Sequence, residues 1–177
     1  MIRAEPWQTA EIPGPLKALI VQKPTTAAGI IKHAKRPLMI LGSKIFKIAS
    51  DQIVDALIQI SKTINVQVVV TSGLIKEFEK KGYKVGFMPA MELADRLRDD
   101  DWCGLDGKGN YDLAVFIGFQ YYYGWLILSG LKHFSREGFK TMSLDPYYQP
   151  HATFSLYNMK KEDWCSYILT IRDSLKG

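Results

Sequence analysis

The stretch "KRPLMILGSK", residues 35–44, decides which fold class the sequence indicates. Its four consecutive apolar residues, Leu38 to Leu41, are typical of a strand that is covered on both faces of a parallel sheet. Gly42 and Ser43 end the run, as a glycine and a small residue often do in the first strand of a nucleotide-binding domain. The stretch therefore leaves two alternatives: a turn that binds phosphate, or a turn that only ends a strand.

Strand-like and helix-like segments alternate on both sides of this stretch. Further apolar, strand-length segments are "VQVVVTSG" (66–73), "YKVGFM" (83–88), "DLAVFIGFQ" (112–120), "FKTMSLDP" (139–146) and "ATFSLYN" (152–158). Helical patterns begin at Pro24, at about Ser50, at "GLIKEFEKKG" (73–82), "PAMELADRL" (89–97), "YYYGWLILSGLKHFS" (121–135) and "KEDWCSYILTIRDSL" (161–175). This alternation predicts a single α/β domain, residues 1–177, with a parallel sheet of five or six strands.

Residues 1–23 are predicted to form an extended N-terminal arm. Four residues in it resist helix formation: Pro6, Pro13, Gly14 and Pro15. Three others, Trp7, Ile12 and Leu16, offer apolar side chains. The arm can cover the core of its own domain or that of a partner, and the sequence leaves both interpretations open.

Composition and charge exclude several classes of function. A hydrophobic share of 47% with 23% charged residues is typical of a soluble globular protein. No apolar stretch is long enough to cross a membrane, and the N-terminus lacks the apolar core of a signal peptide, so we expect a cytoplasmic protein without membrane contact. Residues 1–50 hold eight Lys/Arg and two acids, but the lysines are scattered and no nucleic-acid motif accompanies them. An acidic partner protein or an anionic cofactor is the better match.

Cysteine and histidine are too sparse for metal chemistry. Cys103 and Cys165 are expected to be reduced thiols, and an iron–sulfur cluster normally takes four cysteines. The histidines, His33, His133 and His151, do not have the spacing of metal ligands. We therefore predict no metal site and assign no catalytic residue.

A ligand site is expected where the strands end, because ligands of open parallel sheets bind beyond their carboxyl ends. The dinucleotide pattern G-x-G-x-x-G is missing, since "LGSKIFK" has one glycine, and Thr71-Ser72 stands where an acidic residue would hold a ribose. There is also no G-x-x-x-x-G-K-[ST] phosphate loop. The candidate cofactor-binding residues are Gly42, Ser43, Lys44, Ser72, Gly73, Gly118, Phe119, Tyr121 and Asp145.

Two of these candidates also have simpler interpretations. Asp145 can act as an acid or base at a strand end, but with Pro146 it also forms an ordinary Asp-Pro turn, which we favour. Tyr121, with Tyr122 and Tyr123, can stack on a flavin or a base, but aromatic residues at the start of an apolar helix usually pack in a core or an interface.

Two resemblances add to this interpretation. "AKRPLMILGS", "VQVVVTSG", "YDLAVFIG" and "KTMSLDP" are similar, in this order, to the middle domain of thiamine-diphosphate enzymes such as acetohydroxyacid synthase. That resemblance implies a three-layer, Rossmann-like parallel sheet of six strands, the NAD/FAD-binding-like fold shared with deoxyhypusine synthase.

The closer resemblance covers nearly the whole chain. "AEIPGP", "AKRPLMILG", "GLDGKGNYDLAVFIGFQYYYGW", "LKHFS" and "LDPYYQPHATFSL" together resemble the epsilon subunit of the archaeal acetyl-CoA decarbonylase/synthase complex. In that family epsilon pairs with the large alpha subunit, which carries nickel–iron–sulfur clusters, in an alpha-two, epsilon-two carbon monoxide dehydrogenase.

The resemblance implies a non-catalytic accessory subunit that stabilises alpha, as a homo-oligomer within the complex and without a tightly bound cofactor. The alternative that it leaves open is an FAD-binding electron-transfer module. In that case the FAD pyrophosphate would lie near Gly42, Ser43 and Lys44, and Phe119 or Tyr121 would stack on the ring.

Overall fold

The computed structural model describes residues 17–176, so most of the predicted N-terminal arm lies outside the described residues. The strands are β1 (Leu19–Ile20), β2 (Pro37–Leu41), β3 (Gln67–Val70), β4 (Gly86–Phe87), β5 (Leu113–Ile117), β6 (Lys140–Ser143) and β7 (Phe154–Ser155). The helices are α1 (Pro24–His33), α2 (Ile45–Ile48), α3 (Asp51–Thr63), α4 (Ile75–Lys80), α5 (Ala90–Arg98), α6 (Tyr121–Phe134) and α7 (Lys161–Leu175).

The strands form one sheet, in the order β1-β7-β6-β5-β2-β3-β4, and every neighbouring pair is parallel. This arrangement confirms the predicted three-layer, Rossmann-like α/β fold. The sheet has seven strands rather than five or six, because β1 extends it at one edge. In β1, Leu19 pairs with Phe154 of β7, so this part of the predicted arm belongs to the sheet.

Helices cover both faces of the sheet, and the apolar run of β2 shows why. Met39 and Leu41 face a core that they share with α1, α3 and α7. Leu38 and Ile40 point the other way, into a core shared with α5 and α6. All four side chains are at most 1% exposed, as expected for a strand with no solvent-facing side.

Two buried hydrogen bonds hold helix α7 against one face of the sheet. The indole N–H of Trp164 donates to the carbonyl oxygen of Leu144 at 2.7 Å, just after β6. The hydroxyl of Tyr167 donates to the carbonyl oxygen of Val21 at 2.9 Å, just after β1. Trp164 is fully buried, so the helix joins segments that are far apart in the sequence.

The sheet reverses its direction of growth between β2 and β5. From β2 the chain adds β3 and β4 on one side, whereas β5, β6 and β7 lie on the other. The carboxyl ends of β2 and β5 therefore form a topological switch point, where open α/β sheets bind their ligands. Between residues 17 and 176, no helix combines the length and the apolar character that crossing a bilayer requires.

Candidate functional site

Two glycines bring the ends of β2 and β5 into direct backbone contact. The N–H of Gly42 donates to Ile117 O and the N–H of Lys44 donates to Gly118 O, both at 2.8 Å. A Cβ on Gly42 would lie 2.8 Å from the carbonyl carbon of Gly118 and 2.9 Å from Cδ2 of Phe119. The glycine after β2 is thus required because another strand approaches, and its turn ends a strand.

Gly118 makes the second half of this contact. Its φ of +80° lies in the left-handed region, and a Cβ there would lie 2.7 Å from the backbone nitrogen of Ile45. Ile45 begins α2 and is fully buried. The short helix α2, which the sequence pattern did not predict, therefore packs against the switch point.

Asp145, which follows β6, is hydrogen-bonded to the turn at Gly118. Its side chain is 1% exposed, Oδ1 accepts the N–H of Gly118 at 2.6 Å, and Oδ2 accepts the N–H of Phe119 at 3.4 Å. The hydroxyl of Tyr147 donates to Phe119 O and also faces the carboxyl group. Burial raises the pKa of Asp145 to about 7, although these hydrogen bonds lower it. The geometry supports the structural interpretation of Asp145, as a side chain that fixes the Gly118 turn.

A small cavity remains above this contact. It measures about 100 Å³ and is lined by Ser43, Thr71, Ser72, Phe119, Gln120 and Tyr123. Within the described part of the chain, the hydroxyl of Ser72 is buried without a hydrogen-bond partner. Of the nine candidate residues, the cavity brings together Ser43, Ser72 and Phe119. Gly42, Gly118 and Asp145 are buried next to it, whereas Lys44, Gly73 and Tyr121 do not line it.

The residues at this edge do not fit a flavin. Cofactor pockets usually span about 300–1,000 Å³. A pyrophosphate needs free backbone N–H groups, but those of Gly42, Lys44, Gly118 and Phe119 already bind oxygen atoms of this chain. FAD binding thus stays a prediction from the sequence, and we derive no chemistry from it.

A groove several times larger than this cavity lies at the other end of the strands, where β2 and β3 begin and where the sequence predicted no site. It measures about 540 Å³ and is lined by Ile31, Lys32, Ala34, Lys35, Arg36, Pro37, Ile64, Asn65, Gln67, Asp106, Lys108 and Tyr111. Two features of the sequence could have indicated this groove: the basic residues before β2 and the glycine-rich loop before β5. We call this site the amino-edge groove.

A second surface feature is apolar and lies on α5 and α6. Five side chains there are 41–68% exposed: Met91, Tyr122, Tyr123, Leu126 and Phe134. We call them the α5–α6 surface. Tyr121 is not part of it, because it is buried between Tyr122 and Tyr147, with ring centroids 5.2 and 5.4 Å away.

The cysteines and histidines show no metal-binding arrangement. Cys103 and Cys165 are free thiols, and within residues 17–176 no three His, Cys, Asp or Glu side chains group to hold a metal ion. His33 Nδ1 lies 2.7 Å from Gly29 O. Burial, together with the nearby Lys132 and His133, lowers the pKa of His151 to about 4, so its ring is neutral at pH 7.

The fold and the switch point between β2 and β5 define a class of protein. It is a Rossmann-like α/β domain whose switch point is closed by its own backbone and by a buried carboxyl group. The chain belongs to the family described as CO dehydrogenase beta subunit/acetyl-CoA synthase epsilon subunit, which it matches over residues 1–171. This membership confirms the resemblance to the epsilon subunit.

Curated relatives agree over most of their length. The chain is 32% identical over 166 residues to the acetyl-CoA decarbonylase/synthase complex subunit epsilon of Methanothermobacter thermautotrophicus, covering 94% of this chain and 93% of the relative. It is 35% identical over 142 residues to subunit epsilon 1 of Archaeoglobus fulgidus, covering 79% and 74%. It is 36% identical over 141 residues to subunit epsilon 1 of Methanosarcina barkeri, covering 80% of each.

Proposed function

We propose that the chain is a non-catalytic accessory subunit of an acetyl-CoA decarbonylase/synthase complex. In this proposal it binds and stabilises the alpha subunit of the carbon monoxide dehydrogenase component, in an alpha-two, epsilon-two assembly in the cytoplasm, and alpha carries the catalytic centres. Family membership supports a place in such a complex. The observation that carries the binding role is the α5–α6 surface.

The α5–α6 surface has the chemistry of a protein interface. Aromatic residues and methionine are enriched in interfaces, and here three aromatic side chains, a methionine and a leucine are exposed on two packed helices. Met91 and Leu126 line one shallow groove of about 80 Å³. At its side, the guanidinium of Arg98 lies 5.8 Å from the ring of Phe134. Arginine beside aromatic anchors is typical of the residues that dominate binding energy.

A charge in the middle of this surface should weaken binding to the alpha subunit. Leu126 is 55% exposed, so Leu126→Asp is expected to leave the fold intact while it places an unpaired carboxylate in the interface. We expect the dissociation constant for the purified alpha subunit to rise by about 100-fold or more. Isothermal titration calorimetry measures it directly, and the melting temperature of the free variant reports on folding.

Phe87→Asp is the control for this experiment. It introduces the same carboxylate at an apolar side chain of similar exposure, 49%, on β4, outside both the N-terminal arm and the α5–α6 surface. Its affinity for alpha should stay within about 2-fold of the wild type. If both variants lose binding equally, or if Leu126→Asp binds normally, the α5–α6 surface is not where alpha docks.

The electron-transfer alternative is tested by titrating the chain, alone and together with alpha, with FAD. A site at the switch point would raise the melting temperature, since a ligand at about 100 times its dissociation constant adds about 2.7 kcal/mol to the free energy of unfolding. It would also quench flavin fluorescence. Because the N–H groups of Gly42, Lys44, Gly118 and Phe119 already have partners, we expect neither change with the chain alone. A shift only in the presence of alpha would assign a shared flavin site to the interface.

A further inference from the structure

The amino-edge groove, about 540 Å³ in volume, lies at the amino ends of the strands, opposite to the switch point. One wall is the end of α1 with the segment that leads into β2, and the other is the loop before β5. The floor is a hydrogen-bonded row in which the hydroxyl of Tyr111 donates to Gln67 and accepts the N–H of Leu105. A floor whose polar atoms are paired in this way gives the groove a fixed shape.

The groove is strongly basic. Four cationic side chains line it, namely Lys32, Lys35, Arg36 and Lys108, against a single carboxylate, Asp106. Arg36 Nη2 and Asp106 Oδ1 are 2.8 Å apart, so this pair neutralises itself. The nearby carboxylate of Asp112 accepts the backbone N–H groups of Lys35 and Arg36. Among the described residues none forms an ion pair with the three lysines, which are all exposed, so their ammonium groups remain available to a ligand.

The donors that remain indicate which kind of anion fits. Tight phosphate sites use converging backbone N–H groups or a free arginine fork. Here the backbone N–H groups of Lys35, Arg36 and Lys108 bind carboxylates of the chain, and Nη2 of the Arg36 guanidinium is held by Asp106. Lysine ammonium groups on flexible stems attract several spaced carboxylates well, but they do not form a rigid phosphate cradle.

We propose that the amino-edge groove binds an acidic polypeptide segment of a partner protein, whose carboxylates meet the ammonium groups of Lys32, Lys35 and Lys108. The guanidinium carbon of Arg36 lies 5.1 Å from the ring centroid of Tyr111, and Arg36 is paired with Asp106. Arg36 is therefore part of the wall of the groove, and the three lysines attract the acidic segment. This surface is separate from the α5–α6 surface, and the proposal does not depend on where alpha docks.

The test uses the whole chain and a rhodamine-labelled octaglutamate peptide, followed by fluorescence anisotropy. We expect saturable binding at about 20 mM salt and at least about 10-fold weaker binding at about 200 mM, because exposed charges are screened. Replacing all three groove lysines by glutamine should weaken binding at low salt by at least about 10-fold, from three exposed ion pairs.

A triple variant with the same change in net charge is the control. Lys47, Lys76 and Lys84 are exposed and lie outside the groove, so replacing them by glutamine should change the affinity by less than about 2-fold. If the control variant loses as much affinity as the groove variant, the peptide responds to net charge alone and the proposal is wrong. It is equally wrong if the peptide does not bind, or if inorganic tripolyphosphate binds at the groove and the peptide does not.

Asp106→Asn supplies a test of opposite sign. It removes the one carboxylate of the groove and frees the Arg36 guanidinium, while an amide oxygen can still accept the Lys108 N–H. Peptide binding should become about 3-fold tighter. A loss of affinity would show that Asp106 holds the binding geometry in place, and it would overturn the assignment of the lysines as the attracting groups.

Discussion

Gly118→Ala is expected to lower the free energy of unfolding by about 2–5 kcal/mol. A left-handed backbone costs alanine about 1–2 kcal/mol of conformational free energy, and φ at this position is +80°. Its Cβ would also lie 2.7 Å from the backbone nitrogen of buried Ile45, and forcing such a group into a packed core costs about 1–3 kcal/mol. In a thermal melt followed by circular dichroism, the midpoint should fall by roughly 10 °C.

Gly29→Ala is the control for this change. Gly29 lies within α1, and a Cβ there would meet no atom of another described segment within 4 Å. Because alanine favours a helix interior, this variant should be more stable than the wild type by up to about 1 kcal/mol. If Gly118→Ala melts within about 2 °C of the wild type, the contact between β5 and α2 is not the tight closure described above.

The second large effect is a fall in stability as the pH rises, caused by Asp145. Burial raises the pKa of this carboxyl group from 3.8 to about 7, so the folded protein favours its protonated form. The stability that it contributes is fully present below about pH 4 and is lost as the pH rises through about 7. The whole difference amounts to about 4 kcal/mol, of which about 3 kcal/mol falls between about pH 5 and about pH 8.

Asp145→Asn isolates this effect, because an amide of the same shape does not titrate. Urea unfolding of both proteins at about pH 5 and about pH 8 should show the wild type losing about 3 kcal/mol relative to the variant. The opposite slope, with the wild type gaining as the pH rises, would mean that the N–H groups of Gly118 and Phe119 stabilise the ionised carboxylate more than burial penalises it.

The strands and long helices could be predicted because their signals are local. The run Leu38–Leu41 is buried on both faces, and the structure places it in the middle of a parallel sheet. The glycine at the end of the fourth helix, Gly82, has a φ of +66°, which is typical of the residue that ends a helix. Patterns of this kind depend on neighbours in the sequence, so a single chain reveals them.

The details of the site depend on contacts between distant residues, and no local pattern contains them. Asp145 accepts hydrogen bonds from residues 27 and 26 positions away, so the N–H groups of Gly118 and Phe119 are not free for an anion. In the sequence, Gly42 resembled part of a phosphate-binding turn. The residue that actually requires a glycine there is Gly118, which follows a different strand and is not a neighbour in the sequence. The sequence did not predict the amino-edge groove, because ligand sites of open parallel sheets are expected at the carboxyl ends of the strands and the groove lies at their amino ends.

Helix α7 has a consequence for how the protein is made. Trp164 and Tyr167 complete the face that α1 and α3 begin, and the hydroxyl of Tyr167 bonds Val21, 146 residues earlier. Contacts across such separations form slowly, because a long loop must close first. A ribosome that has not yet released residues 161–175 therefore carries a nascent chain with an open apolar face. During synthesis this face is exposed to association with other chains until α7 docks, and a chaperone that covers it would prevent that.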